Sequence, residues 1–278
     1  MTATRYGAAL GADEAQEFLP FMHELIGVAG SVIQPLFMTG TAVIDKADAS
    51  PVTQADRGAE EQLRRRIEAR YPDHAILGEE FGTKDGAPGN RYRWVLDPVD
   101  GTRAFITNCF LFGTLIALER NDGDGYRPVL GCIAHPAAHV SVIGHAGGAR
   151  LTARDGSTRP VRMRPCSRLQ DATVLLTSMP DIGEQKAANT GRIGAVLRRA
   201  KLARTWGDCF GYFALATGGA DVMLDPQLAY WDVAAIVPVI EGAGGVVTSW
   251  TGGDPLASPS LIASGPAVQA ELLRLLHD

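Results

Sequence analysis

Asp97 and Asp100 leave an apolar stretch, Trp94-Val95-Leu96, three residues apart, with Gly101 and Thr102 directly behind them. Carboxylates cluster in this way where a hard divalent cation is held, since Mg²⁺ takes oxygen ligands and binds through a few carboxylates together with phosphate oxygens. Glycine lets backbone N–H groups come close to an anion. One short run therefore offers metal ligands and phosphate donors side by side. The same Asp-Pro-x-Asp-Gly pattern also makes a good turn, because Pro presets φ, Asp bonds its own backbone and Gly supplies a positive φ. Two further acidic sites shift the balance. Gly78-Glu79-Glu80 follows a short apolar run, and Asp232 opens an apolar segment in Trp231-Asp232-Val233-Ala234-Ala235. Alone, the first reads as a surface turn and the second as a helix-start charge favoured by the helix dipole. All of these acids lie where a strand ends or a helix begins, and such edges line clefts.

The elements that must position them can be read from periodicity. Residues 13–38 read as a helix with Phe18, Phe21, Met22, Leu25 and Val28 on one stripe. A short strand follows at 42–45. Thr53-Gln54-Ala55-Asp56 is a capping-box variant opening a second helix, in which Ala59, Leu63 and Ile67 recur and which ends before Pro72. The Arg64-Arg65-Arg66 run of that helix, among Glu60, Glu61 and Glu68, reads as a solvated face. Strands are expected at 75–77, 91–96, 112–119, 129–134 and 140–144, mostly separated by Asp/Gly-rich turns, as an antiparallel sheet fronted by the two helices. After about residue 170 the pattern alternates. Strands are expected at 174–177, 220–224, 246–250 and 261–263, and helices at 182–202, 210–217, 233–241 and 267–277. The fold class is α/β, with an α+β first half (about 1–165) and an α/β second half (about 166–278). The halves form a single domain over 1–278 with a cleft between them.

A chain of 278 residues can bury a large core, and 46% apolar with 21% charged residues is ordinary for a globular protein. A net charge of −5 without a basic block argues against a nucleic-acid partner. Residues 1–12 lack a signal pattern and no run has the apolar length to span a bilayer, so no membrane role is expected. Cys109, Cys132, Cys166 and Cys209 form no C-x-x-C pair and read as small core residues of a reducing, cytoplasmic compartment. His135 and His139 have a helical metal spacing, but Pro136 opposes a helix there and hence a zinc site. There is no G-x-x-x-x-G-K-S/T loop for a nucleotide.

Together, the G-E-E, D-P-V-D-G-T and W-D-V-A-A elements resemble the inositol monophosphatase superfamily of Mg²⁺-dependent phosphatases, whose signature elements occur in this order. The resemblance implies a layered α-β-α-β-α sandwich, two or three Mg²⁺ ions, a small-molecule phosphate ester as substrate, and usually a homodimer. Glu79, Asp97 and the Val99 carbonyl would bind one ion, and Asp97, Asp100 and Asp232 a second. Glu79, Thr102 and Asp100 would be the catalytic group, Thr102 pairing with Glu79 to orient the attacking water. The N–H groups of Gly101 and Thr102 would hold phosphate oxygens. Glu80 would be an outer neighbour of the ions, Asp56 would support the network, and Lys46 matches a family lysine.

Gly101-Thr102-Arg103-Ala104-Phe105-Ile106 and Gly207-Asp208-Cys209-Phe210-Gly211-Tyr212 look like the histidinol-phosphate phosphatase branch. By that likeness Arg103, Asp208 and Asp225 would meet the substrate. Asp225 lies seven residues before Asp232, where the family places a carboxylate on the organic part. Two extra negative charges suit the ammonium and imidazole of L-histidinol better than a neutral polyol. Asp208 reads nearly as well as a helix N-cap; Trp206, Phe210 and Tyr212 read as core, with Trp206 or Phe210 the alternative face for the imidazole. The expected activity is hydrolysis of L-histidinol phosphate to L-histidinol and phosphate. An inositol monophosphate or another small ester is the alternative, and a non-catalytic metal- or phosphate-binding regulator a more distant one.

Overall fold

Helix α1 (Ala12–Ile33) turns Phe18, Phe21, Met22, Leu25, Ala29 and Ile33 inward, as its stripe predicts. It stops short of the expected residue 38. Pro35 disfavours the α conformation in the residue before it, and the chain tightens into a single 3₁₀ turn over Gln34–Leu36. The computed structural model describes residues 7–40, 42–45, 51–178 and 190–277. Helix α2 (Gln54–Arg70) is capped as expected. The Thr53 hydroxyl accepts the Ala55 N–H, and Asp56 accepts the Thr53 N–H at 2.8 Å. Strand β1 (Val43–Asp45) pairs antiparallel with an unanticipated β2 (Pro51–Thr53), which runs directly into α2.

Eight strands make the larger sheet: β3 (Ala75–Gly78), β4 (Gly82–Lys84), β5 (Tyr92–Asp100), β6 (Gly113–Asn121), β7 (Tyr126–His135), β8 (Val140–His145), β9 (Gly148–Thr152) and β10 (Thr158–Val161). Their order is β10-β9-β8-β7-β6-β5-β3-β4. All neighbours are antiparallel, as expected, except β3 and β5, which run parallel. The second sheet holds β11 (Thr173–Leu176), β12 (Leu202–Arg204), β13 (Val222–Asp225), β14 (Val246–Thr248) and β15 (Leu261–Ser264), in the order β12-β11-β13-β15-β14. Here β11 runs parallel to β12 and β13, while β15 is antiparallel to β13 and β14. The unexpected strands β4, β9, β10 and β12 are short and lie at or next to sheet edges, too brief to show an alternation.

Five further helices lie among the described residues: α3 (Thr102–Ile106), α4 (Thr190–Arg199), α5 (Asp208–Ala216), α6 (Tyr230–Gly242) and α7 (Pro266–His277). The helix expected over 182–202 ends at Arg199, and Leu202 already belongs to β12. Residues 182–189 of that expectation lie outside the described residues.

Strand alternation sorts these elements into layers, because successive side chains leave a strand on opposite faces. Trp94, Leu96, Ile116 and Leu118 pack against α1 and α2. Val95, Leu115, Ala117 and Ile133 point the other way, onto Tyr212 and Leu215 of α5 and Val233 to Ile240 of α6. The same middle core takes Leu175, Met223, Val247 and Ala263 from the inner face of the second sheet. Val174, Leu176, Val222 and Ile262 face outward onto Ile193 and Val196 of α4 and Leu272 of α7. The result is the α-β-α-β-α sandwich. Helix α6 is covered on all sides, which is why its sequence is apolar all round instead of on one stripe. No helix among the described residues is long and apolar enough to cross a membrane.

Candidate metal centre

In a regular strand, residues three apart point to opposite faces. Asp97 and Asp100 escape this rule because the pairing of β5 with β6 shifts between them. Such a bulge adds a residue and re-aims side chains. Pro98, with no N–H for the ladder, sits inside it, and its carbonyl accepts the Thr114 hydroxyl at 2.7 Å. Asp232 comes from the first turn of α6, where it also accepts the Ala229 N–H at 2.8 Å. The three carboxylates converge, each offering an oxygen such that all three atoms lie within 4.8 Å of one another. They are the one such set of three potential ligands among the described residues.

The electrostatics follow from this crowding. Burial raises the Asp97 carboxyl well above the ordinary range, and Glu79, Asp100 and Asp232 raise it further. Burial, then Asp208 and Asp232, do the same to Asp100, against the pull of Cys209, whose N–H donates to Asp100 Oδ2. Burial pushes Asp232 up to about 7, while the Ala229 N–H and a hydrogen bond from Asp97 pull it back. Like charges packed this closely are costly unless protons or a cation neutralise them. An all-oxygen, all-carboxylate donor set is what a hard dication such as Mg²⁺ takes, where zinc prefers nitrogen and sulfur. The residues thus fit the ion that the sequence implies.

Glu79 joins the group through its side-chain hydrogen bond with Asp97. Its own N–H donates to the Leu96 carbonyl at 3.1 Å, so the G-E-E turn is tied to β5 beside Asp97. The Thr102 hydroxyl, expected against Glu79, lies 3.2 Å from Asp56 Oδ1 and 3.1 Å from the Val99 carbonyl. The Glu79 charge helps raise Asp56, after burial, so Asp56, Thr102 and Glu79 share one neighbourhood. Gly101 has φ of 78°, and a Cβ there would stand 2.9 Å from Asp208 Oδ2, so the position suits glycine on both counts. The Asp208 carboxylate consequently rests against the loop that bears Asp100.

Other expectations divide. Asp225 is 1% exposed, with one oxygen taken by the Thr177 hydroxyl and the other by the Tyr212 hydroxyl at 2.7 Å. The Asp208 N–H donates to the same Thr177 oxygen at 3.1 Å, so Asp208 and Asp225 share one hydroxyl. Tyr212 is core and Trp206 is exposed. Arg103 is exposed on α3, Glu80 is half-buried on its turn, and Lys46 lies outside the described residues. Two participants are missed by sequence reasoning: the Cys209 N–H on Asp100, and Glu60 of α2, which is buried although its charge run reads as solvated. The spacing of Glu60, four residues after Asp56 on the same helix face, was the one signal for it.

The model of the inositol monophosphatase family matches residues 14–278. The chain belongs to the inositol monophosphatase family. This family member is 38% identical over 244 residues to the chloroplastic bifunctional phosphatase IMPL2 of Arabidopsis thaliana, covering 87% of this chain and 67% of the plant protein. It is 36% identical over 210 residues to a histidinol-phosphatase of Chlorobaculum parvum, 76% of each chain. Among solved structures, an inositol monophosphatase from Zymomonas mobilis superposes with a TM-score of 0.80 at 32% identity, over 95% of this chain and 99% of that one. The protein is therefore a phosphomonoesterase of this superfamily with an acidic candidate metal site.

Proposed function

We propose that the protein is a Mg²⁺-dependent hydrolase of L-histidinol phosphate, releasing L-histidinol and phosphate. The observation behind this choice is the Asp208 carboxylate lying against Gly101, beside Asp100, where it adds negative charge next to the place a phosphate ester would occupy. A cationic leaving group suits such a pocket better than a neutral polyol. The likeness to a histidinol-phosphatase supports the same reading.

In this reading Asp97, Asp100, Asp232, Glu79 and the Val99 carbonyl hold two or three Mg²⁺ ions. Bound Mg²⁺ would neutralise the phosphate dianion and lower the pKa of the attacking water. The N–H groups of Gly101 and Thr102 orient phosphate oxygens. The Thr102 hydroxyl, backed by Asp56, and the Glu79 carboxylate face the water and hold its proton. No covalent nucleophile is needed. The homodimer belongs to the same reading, and sedimentation at micromolar concentration checks it.

A second reading, hydrolysis of an inositol monophosphate, is favoured by the similarity to the Zymomonas mobilis inositol monophosphatase along nearly the whole chain. The deciding experiment compares kcat/KM for histidinol phosphate and inositol 1-phosphate at fixed Mg²⁺. Preference for histidinol phosphate is expected, and preference for the inositol ester moves the assignment to the second reading. Asp208→Asn should lower kcat/KM for histidinol phosphate at least about ten-fold, roughly the loss of one charged hydrogen bond, and touch inositol 1-phosphate little. Equal losses would remove the proposed role of Asp208. Metal-dependent binding with no phosphate release from any ester would point to a regulator.

A further inference from the structure

The turn that bears Glu79 is held by a residue outside the metal set. Glu60 on α2 is 0% exposed. Its Oε2 accepts the Glu80 N–H at 2.8 Å. Its Oε1 accepts the Phe81 N–H at 3.2 Å and Arg64 Nε at 2.7 Å. The Arg64 guanidinium also donates to the Gly82 carbonyl, and the guanidinium groups of Arg57 and Arg64 stand 5.4 and 6.0 Å from the centre of the Phe81 ring. Gly78, at the other end of the turn, lies so close that a Cβ there would be 2.0 Å from Glu60 Oε1.

A fully buried carboxylate is costly to desolvate, even when paired with arginine. Yet it is committed here to N–H groups of a turn that reaches the surface, where Phe81 is 43% exposed. Water could satisfy such N–H groups. What water cannot supply is a fixed backbone. Glu79 is held on one side by β5, through its N–H on the Leu96 carbonyl, and on the other by α2, through the next two N–H groups on Glu60. Asp56, one helical turn before Glu60, bonds the Thr102 hydroxyl. One face of α2 thus touches both loops of the candidate metal centre.

We propose that Glu60 is a positioning residue for this centre, fixing the turn so that the Glu79 carboxylate stays against Asp97. This rests on the reading of Glu79 and Asp97 as metal ligands. In Glu60→Gln, the amide NH₂ faces either the Glu80 N–H or the Arg64 and Phe81 donors in any orientation, so one contact becomes donor against donor.

The test is calorimetric titration of Mg²⁺ into the purified full-length protein, together with phosphate release as a function of Mg²⁺. Glu60→Gln should raise the Mg²⁺ Kd and the half-saturating Mg²⁺ by about ten-fold or more, as for other residues that orient metal ligands, with kcat recovering at saturating Mg²⁺. A merely structural role would lower the melting temperature without that split. An unchanged Mg²⁺ Kd would overturn the proposal. Should Glu60→Gln fail to fold by circular dichroism, Arg64→Lys, which removes the Nε contact and leaves Glu60 in place, must weaken Mg²⁺ in the same direction. No change there overturns the proposal equally. A wild-type protein that binds no Mg²⁺, or Asp97→Asn binding it as tightly as wild type, would end the metal reading itself. Binding that is lost in Asp97→Asn but intact in Glu60→Gln ends only the role of Glu60.

Discussion

At the scale of single residues, the crowded carboxyls make a prediction about pH. Asp232 titrates at about 7 in the folded protein, chiefly through burial, far above the value of an unfolded chain. Between those values the folded form holds a proton that the unfolded form has released. Its contribution to stability is therefore complete below about pH 4 and is lost as pH rises through about 7. Asp97 and Asp100 are shifted in the same direction. In EDTA the urea midpoint should fall between about pH 5 and about pH 8, and saturating Mg²⁺, which binds the deprotonated acids, should flatten or reverse the trend. A midpoint in EDTA that rises over this range would contradict the crowding. The acids themselves were legible in the sequence because each sits in a short, ordered pattern of neighbours. Glu60 was not, since an Arg/Glu run looks alike whether a distant hairpin folds over it or water does. Asp225 was found by position, but its hydroxyl partners come from Thr177 and Tyr212 on separate elements, which spacing does not reveal.

At the scale of elements, the start of α6 is anchored behind Asp232. The Tyr230 hydroxyl donates to Glu119 of β6, which is fully buried, and accepts from Arg93 of β5 at 3.1 Å, while Arg93 Nε bonds Glu119 at 2.6 Å. Tyr230→Phe leaves the buried Glu119 one donor short. The expected cost is about 1–3 kcal/mol of stability, checked by chemical denaturation. A loss below about 0.5 kcal/mol, the low end for an ordinary hydrogen bond, would show that the hydroxyl is replaceable there. Most helices and the longer strands were readable because they are long enough to display a period. Five short strands were not, and neither was the five-residue α3, which starts where Gly101 takes a left-handed turn after the bulge.

At the scale of the whole molecule, the candidate centre joins layers that are otherwise separate. Asp97 and Asp100 come from the large sheet, Asp232 from the helical layer behind it, and Glu79 from a hairpin next to α2. An ion shared among them binds the folded state and not the unfolded chain. Mg²⁺ should therefore raise the melting temperature, by an amount that grows with the logarithm of its concentration above Kd. Asp97→Asn should abolish the rise. Equal rises in both proteins would place the binding elsewhere.

The pairing of β3 with β5 has a consequence for where chemistry can occur at all. Gly78 lies opposite Leu96, so the two strands finish abreast and deliver Glu79 and Asp97 to the same rim. Reversing β3 alone would send its last residue to the far end of the ladder. At about 3.3 Å per residue, the two carboxylates would then be separated by roughly the strand's own length. One strand's direction decides whether this rim can gather ions or is merely the edge of a sheet.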